Sequence, residues 1–307
     1  MTNNRRTFLF DQRDYRIDDL LDAFYIEKQV EGRTAVTIAI YKEKLTKWND
    51  WMKCRGIETI GEVEPMQLRE FLHEYRAGHT QGGTHGYYRA MKAFFRFCWY
   101  EYDFEWTNPI TKVKCSAGND PPIQGVQPKD VDKLFKAAKE GKNPERDQAI
   151  LAILMDTGIR RSSLAAIHIE DIDLLNSSIY IRHSKNGRGY TVYFGKRCRR
   201  LLKAYLATIQ NKDAKAFLFT NCYGEPLNVD TYRQILARIA DRAKVERYSA
   251  HDYRRYFALE SYRNGADIYE VAEMLGQVGI SVTARYLAVN EDDKKAVHAK
   301  TSPLDRK

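Results

Sequence analysis

Apolar residues recur at spacings of three and four through the first hundred residues. Ile38, Tyr41, Leu45, Trp48 and Met52 form one such row, and Tyr88, Met91, Phe95 and Cys98 form another. Rows of this kind are the mark of amphipathic helices. Shorter rows run over Ile17–Phe24 and Leu68–Tyr75. Four such helices can bury their stripes against one another, which predicts a small helical bundle.

Between Asn108 and Gln127 the pattern lapses into NPITKVKCSAGNDPPIQGVQ, where Pro, Gly, Asn and Asp cluster without an apolar period. A linker is expected there. The predicted division is a first domain over 1–112, a linker over 113–126 and a second domain over 127–307, consistent with a length beyond the usual single domain.

The second part opens with helical patterns over Pro128–Ala138 and Pro144–Asp156. The latter has Asn143 as its expected N-cap, Pro144 in its first turn and Gly158 as its stop. Apolar and alternating runs over Ser178–Ser184 and Gly189–Phe194 flank Lys185-Asn186-Gly187-Arg188, and Asn-Gly is a strong hairpin signal. Helical patterns return over Arg197–Thr208, Val229–Lys244, Asp252–Arg263 and Ile268–Leu275. A short segment with Tyr286 and a charged tail follow. The fold class predicted is mainly α with a small antiparallel β-sheet embedded among the helices.

Charge changes the picture more than composition does. The formal net charge is +9, but residues 1–120 hold 18 Lys and Arg against 18 Asp and Glu, whereas residues 121–307 hold 32 against 23. The whole excess lies in the second part, which points to a polyanionic partner for it. In the first part Arg89, Lys92 and Arg96 fall on or near one face of the fourth helix. They could meet a DNA backbone, or form an ordinary solvated face. The five cysteines, Cys54, Cys98, Cys115, Cys198 and Cys222, are odd in number and widely spaced, which suggests neither a disulfide framework nor a zinc site. A reducing cytoplasm fits. No apolar run approaches ~18 residues, and the polar start lacks the apolar core of a signal peptide, so no membrane association is expected.

Two chemistries cut phosphodiesters: metal ions held on carboxylates, or a protein nucleophile with cations neutralising the transition state. The densest acidic run outside the tail, Glu170-Asp171-Ile172-Asp173, has no partner ligands at recognisable spacing and reads as a solvated turn. Three separated segments instead supply cations and a nucleophile. They are Thr157-Gly158-Ile159-Arg160, the hairpin Lys185, and His251-Asp252-Tyr253-Arg254, followed 32 residues after Arg254 by Tyr286. Each alone is weak, since turn-flanking cations are usually solvated and a tyrosine usually packs.

Taken in order, the stretches MDTGIRRSSLAAIHIEDID, IYIRHSKNGRGYTVYFG and SAHDYRRYFALESYRNGADIYEVAEMLGQVGISVTARYL resemble the tyrosine recombinase (phage integrase) family, Xer-type recombinases included. The last is the most specific, combining an H-x-x-R helix, a Gly-Ala-Asp turn, Met274-Leu275-Gly276 and a terminal Tyr286. The resemblance implies a helical, SAM-like core-binding domain followed by a catalytic domain. It implies that Arg160 and Arg254 clasp the phosphate, that Lys185 protonates the departing 5′ oxygen, and that His251 is the acid/base partner. Gln277 would contact the transition state, and Tyr286 would be the nucleophile of a 3′-phosphotyrosyl intermediate, with no metal or other cofactor. It further implies double-stranded DNA with paired inverted half-sites, a homotetrameric synapse, accessory DNA-bending proteins in some systems, and a tail over Glu291–Lys307 that docks on a neighbouring protomer.

Three positions depart from the family pattern. Ser163 stands where many relatives are acidic, Gln277 where His or Trp is usual, and Arg255 where a His often follows the second arginine. The alternatives these leave open are a type IB topoisomerase-like enzyme and a catalytically weakened DNA-binding relative.

Overall fold

The computed structural model describes residues 12–118, 125–182, 189–210, 213–221 and 223–277, together with 295, 298, 299, 302 and 304. Lys185, Tyr286 and most of the tail lie outside these. The chain divides into two compact units, Met1–Pro121 and Pro122–Lys307.

The first unit is built of α1 (Ile17–Val30), α2 (Ala35–Lys53), α3 (Pro65–Ala77) and α4 (Gln81–Glu101). Local chemistry sets where each begins. Thr34 and Thr80 cap α2 and α4 through their hydroxyls, and α3 starts at Pro65 with a Glu64–Gln67 capping box. The stripes meet in an aromatic core in which Phe24, Trp48, Phe94 and Phe95 are fully buried. The Trp48 ring meets Phe94 and Phe95 at 5.8 and 5.5 Å, in the tilted and edge-on arrangements aromatic pairs prefer.

Much of the segment expected to be a linker belongs to this unit. Pro109–Lys112 forms a 3-10 turn, and Ile110 and Val113 are buried in the core. Tyr88, His85 and Gln81 of α4 reach the carbonyls of Val113, Cys115 and Ser116. The segment has no apolar period because main-chain acceptors, more than side chains, fasten it.

The second unit contains α5 (Pro128–Lys139), α6 (Pro144–Thr157), α7 (Arg161–Ala165), α8 (Lys196–Thr208), α9 (Val229–Ala243), α10 (Ala250–Arg263) and α11 (Ile268–Met274). Helix α6 runs through the core, packing on α5, α8 and α10, with Ile150, Leu151, Ile153 and Leu154 at zero exposure. Asn143 does precede α6, but its side chain caps nothing, and Pro144 occupies the first turn. Gly158 ends the helix in the left-handed conformation, φ +59°.

The sheet has three antiparallel strands in the order β1 (Ile172–Asp173), β2 (Ser178–Ile181), β3 (Tyr190–Tyr193). Pairing Ile179 with Val192 and Ile181 with Tyr190 turns these four inward, leaving Tyr180 and Tyr193 outside. The acidic run is only partly a solvated turn. Asp171 is buried and accepts from Arg182 Nε at 2.7 Å and from the His168 amide at 2.8 Å, while Glu170 pairs with the same guanidinium. Asp171 and Glu170 thus hold the end of β2, while Asp173 caps the β1–β2 turn, accepting from the Leu175 and Asn176 amides, each at 2.9 Å.

Candidate active site

Three local structures converge in the second unit. The first is the end of α6, where Gly158 turns the chain and Arg160 follows in extended conformation as the residue that opens α7. Ile159 between them is fully buried, so the backbone at this turn is fixed from beneath. The second is the first turn of α10. Ser249 and Asp252 form a capping box, the Asp252 carboxylate accepting from the amide and hydroxyl of Ser249, both at 2.7 Å. That start places His251 in the first turn and Arg254 three residues on. The third is the end of α11, where Gly276 takes φ +59° and Gln277 follows, its amide bonded to the Ala272 carbonyl at 3.0 Å.

Arg254 joins the three. It is only 2% exposed, and its Nη1 donates to the Gly158 carbonyl at 2.7 Å while Nη2 donates to the Leu275 carbonyl at 2.8 Å. A guanidinium has five N–H groups in a rigid fork, so two such bonds fix its plane against two helix ends at once. Two glycines let neighbouring side chains close on these helix ends. A methyl on Gly158 would lie 2.6 Å from Cδ1 of Phe257 and 2.7 Å from Cδ2 of Leu275. One on Gly276 would lie 2.7 Å from Cε2 and Cζ of Tyr190.

Arg160 has a buried Nη1 that meets no hydrogen-bond partner among the described residues. Buried donors are nearly always matched, so this nitrogen marks a place for an anion. His251 lies in the field of the same cations. Its surroundings hold its pKa below the usual 6.5, first by burial, then through Arg255, Arg254 and Arg160, with Asp252 opposing. The positive end of α10 acts in the same sense. The imidazole is therefore neutral near pH 7 and able to exchange a proton.

Arg255 is half-buried and pairs with Asp252 at 2.8 Å, so one carboxylate serves both the cap and this cation. Ser163 is buried at 7% exposure. Asp156 was not singled out by sequence. Its carboxylate accepts the Gly195 amide at 2.6 Å, which fastens the end of α6 to the junction of β3 and α8, and burial raises its pKa against that bond. Its place in Met155-Asp156-Thr157-Gly158 was the available signal.

Of the residues expected from sequence, Arg160, His251, Arg254 and Gln277 belong to this one region. Lys185 and Tyr286 lie outside the described residues, although β2 and β3 fix the two ends of the hairpin that carries Lys185. Arg89, Lys92 and Arg96 lie exposed on α4 in the other unit, with Lys92 Nζ 5.9 Å from the Tyr88 ring centre. Among the described residues, no group of His, Cys, Asp and Glu side chains could hold a metal ion, and no helix is long and apolar enough to cross a membrane.

The chain is similar in sequence and in fold to known recombinases. The chain is 28% identical over 302 residues to tyrosine recombinase XerC of Oceanobacillus iheyensis, covering 95% of this chain and 97% of that one. It is similar in fold to XerH site-specific recombinase bound to a palindromic difH substrate, with TM-score 0.72, 21% identity, and 94% and 85% of the two chains covered. A lambda integrase tetramer bound to a Holliday junction matches with TM-score 0.71 at 16% identity, over 90% of this chain and 78% of that one. The sequence model of the phage integrase family matches residues 124–293, more than half the chain and all three converging segments. This chain belongs to the phage integrase family.

Proposed function

We propose that the protein is a site-specific DNA recombinase that cleaves and rejoins strands through a covalent bond between Tyr286 and a 3′ phosphate. The observation that carries this reading is Arg254 held on the Gly158 and Leu275 carbonyls, with His251 in the field of Arg254 and Arg160. Two permanently charged forks beside a neutral imidazole suit a phosphate whose charge grows in the transition state.

In this reading the phenol of Tyr286 attacks phosphorus and gives up its proton, with His251 as the acid/base partner. The bond to the 5′ oxygen breaks, and that oxygen takes a proton from Lys185. Arg160 and Arg254 bind the non-bridging oxygens, and Gln277 adds a neutral donor where a charged one is common. The phosphotyrosyl ester keeps the energy of the broken linkage, so a 5′ hydroxyl can attack it and reseal the strand without ATP.

The first unit binds the phosphate backbone through Arg89, Lys92 and Arg96. Two protomers on inverted half-sites form half of a tetrameric synapse in the cytoplasm, with the tail over Glu291–Lys307 docked on a neighbour and DNA-bending partners assisting. The substrates named for the similar structures support a DNA duplex as the target.

The test is covalent trapping. Nicked duplexes drawn from DNA flanking the encoding gene are incubated with the protein and resolved under denaturing conditions. Wild type is expected to give a protein–DNA adduct and Tyr286→Phe none. An adduct that persists in Tyr286→Phe would sink the nucleophile assignment, and relaxation of plasmids lacking any flanking sequence would favour a topoisomerase.

A further inference from the structure

We propose that Tyr190 is a further residue of the cleavage site, its hydroxyl donating a hydrogen bond to an oxygen of the scissile phosphate; this rests on the recombinase reading above. Tyr190 opens β3, five positions after Lys185. Its pairing with Ile181 aims it inward, on the face opposite the exposed Tyr180 and Tyr193.

Where the ring ends is informative. Gly276 lies against the hydroxyl-bearing end of the ring, so close that a methyl there would be 2.7 Å from Cζ and 2.9 Å from Cε1. Gly276 stands between Leu275, whose carbonyl holds Arg254, and Gln277. The strand that leaves the Lys185 turn thus brings a phenol directly onto the segment that supports the guanidinium.

That hydroxyl is buried and has no hydrogen-bond partner among the described residues. Arg160 Nη1, two residues after Gly158, is in the same condition. Leu275 links them, its side chain abutting Gly158 and the next residue, Gly276, abutting the Tyr190 ring. Two unmatched donors about one junction point to an acceptor that can take several hydrogen bonds at once, and a phosphate is such a group. Tyr232 and Tyr253 also carry unmatched hydroxyls, but both side chains are wholly buried at 0% exposure. Tyr190 is only partly buried, at the edge of the core.

A donor of this kind strengthens as charge builds on the phosphate, so its loss acts on the chemical step. Tyr190→Phe keeps the ring on Gly276 and deletes only the hydroxyl. It is expected to slow single-turnover adduct formation on the nicked duplex about 10- to 100-fold, the size of one hydrogen bond to a charged group. Affinity for uncleaved duplex should stay unchanged, and the thermal midpoint should hold or rise, because an unmatched buried hydroxyl is removed. Cleavage at the wild-type rate, or a loss that follows a drop in thermal midpoint, overturns the assignment to Tyr190 alone. An adduct that survives Tyr286→Phe instead overturns the reading of the reaction, and this proposal with it.

Discussion

The two units bury different things. Among the described residues of the first, the buried polar side chains are Asn49 and Thr84, both uncharged, and the core is aromatic. The second buries Asp130, Asp147, Asp171 and Arg254. Buried charge is costly unless it is paired and hydrogen-bonded. Three of these residues meet that condition through partners in the fold: Asp130 with Lys133 and Tyr248, Asp147 with Arg146, Asp171 with Arg182. Arg254 donates to two main-chain carbonyls, those of Gly158 and Leu275, at the ends of two other helices. The interior of the first unit rests on apolar packing, whereas that of the second also holds charged side chains on hydrogen bonds, and Arg254 of the candidate site is one of them.

The comparison can be broken from either side. Trp48→Ala should cost about 3 to 5 kcal/mol, as large aromatic truncations do, and the loss should stay in the first unit. Hydrogen exchange would then quicken across α1–α4 and stay unchanged in α5–α11; equal acceleration in both would mean the cores are one cooperative body. Arg254→Ala strips the Gly158 and Leu275 carbonyls of their donors, at roughly 1 to 3 kcal/mol for each group left unmet. It should destabilise the second unit selectively and abolish adduct formation, both read on the same preparation.

A smaller effect separates conformation from crowding. Gly158→Ala meets left-handed strain and the Phe257 and Leu275 side chains, and should cost about 2 kcal/mol or more. Gly224, at φ +81° with nothing within 4 Å, faces the strain alone, so Gly224→Ala should cost about 1 kcal/mol. Equal midpoints in thermal unfolding would show that the contacts at Gly158 carry no weight.

The smallest effect concerns protons. His251 titrates below 6.5 in the folded chain, so the unfolded chain binds more protons between the two values. Stability from this group is therefore lost as pH falls through 6.5 towards the lowered value, and regained as pH rises. Arg255 is the strongest of the cations that depress it, with Arg254 and Arg160 behind and Asp252 opposing. Arg255→Gln removes that cation and frees Asp252, both of which raise the His251 pKa. The acid limb of the cleavage rate should move to higher pH; a limb that stays in place would remove His251 from the pH dependence.

How much of this was legible in the sequence depends on how far each signal reaches along the chain. Helix α4 spans 21 residues and announces itself through many turns of apolar spacing. Helix α7 has five residues and β1 two, too few for any period, and β1 is hidden inside the acidic run. The arginines and His251 were legible as spaced motifs, but not the burial of Arg254, because its partners are carbonyls that every residue possesses. Tyr190 was invisible for another reason. Which face a strand residue takes depends on register, and register is a property of two strands together.

The grip on Arg254 bears on how such a protein tolerates change over time. Its two acceptor oxygens belong to the main chain at Gly158 and Leu275, so no point mutation can delete them. Only the path of the backbone has to be inherited. A substitution at position 158 or 275 therefore acts on Arg254 through the path of the chain and not through the loss of an acceptor.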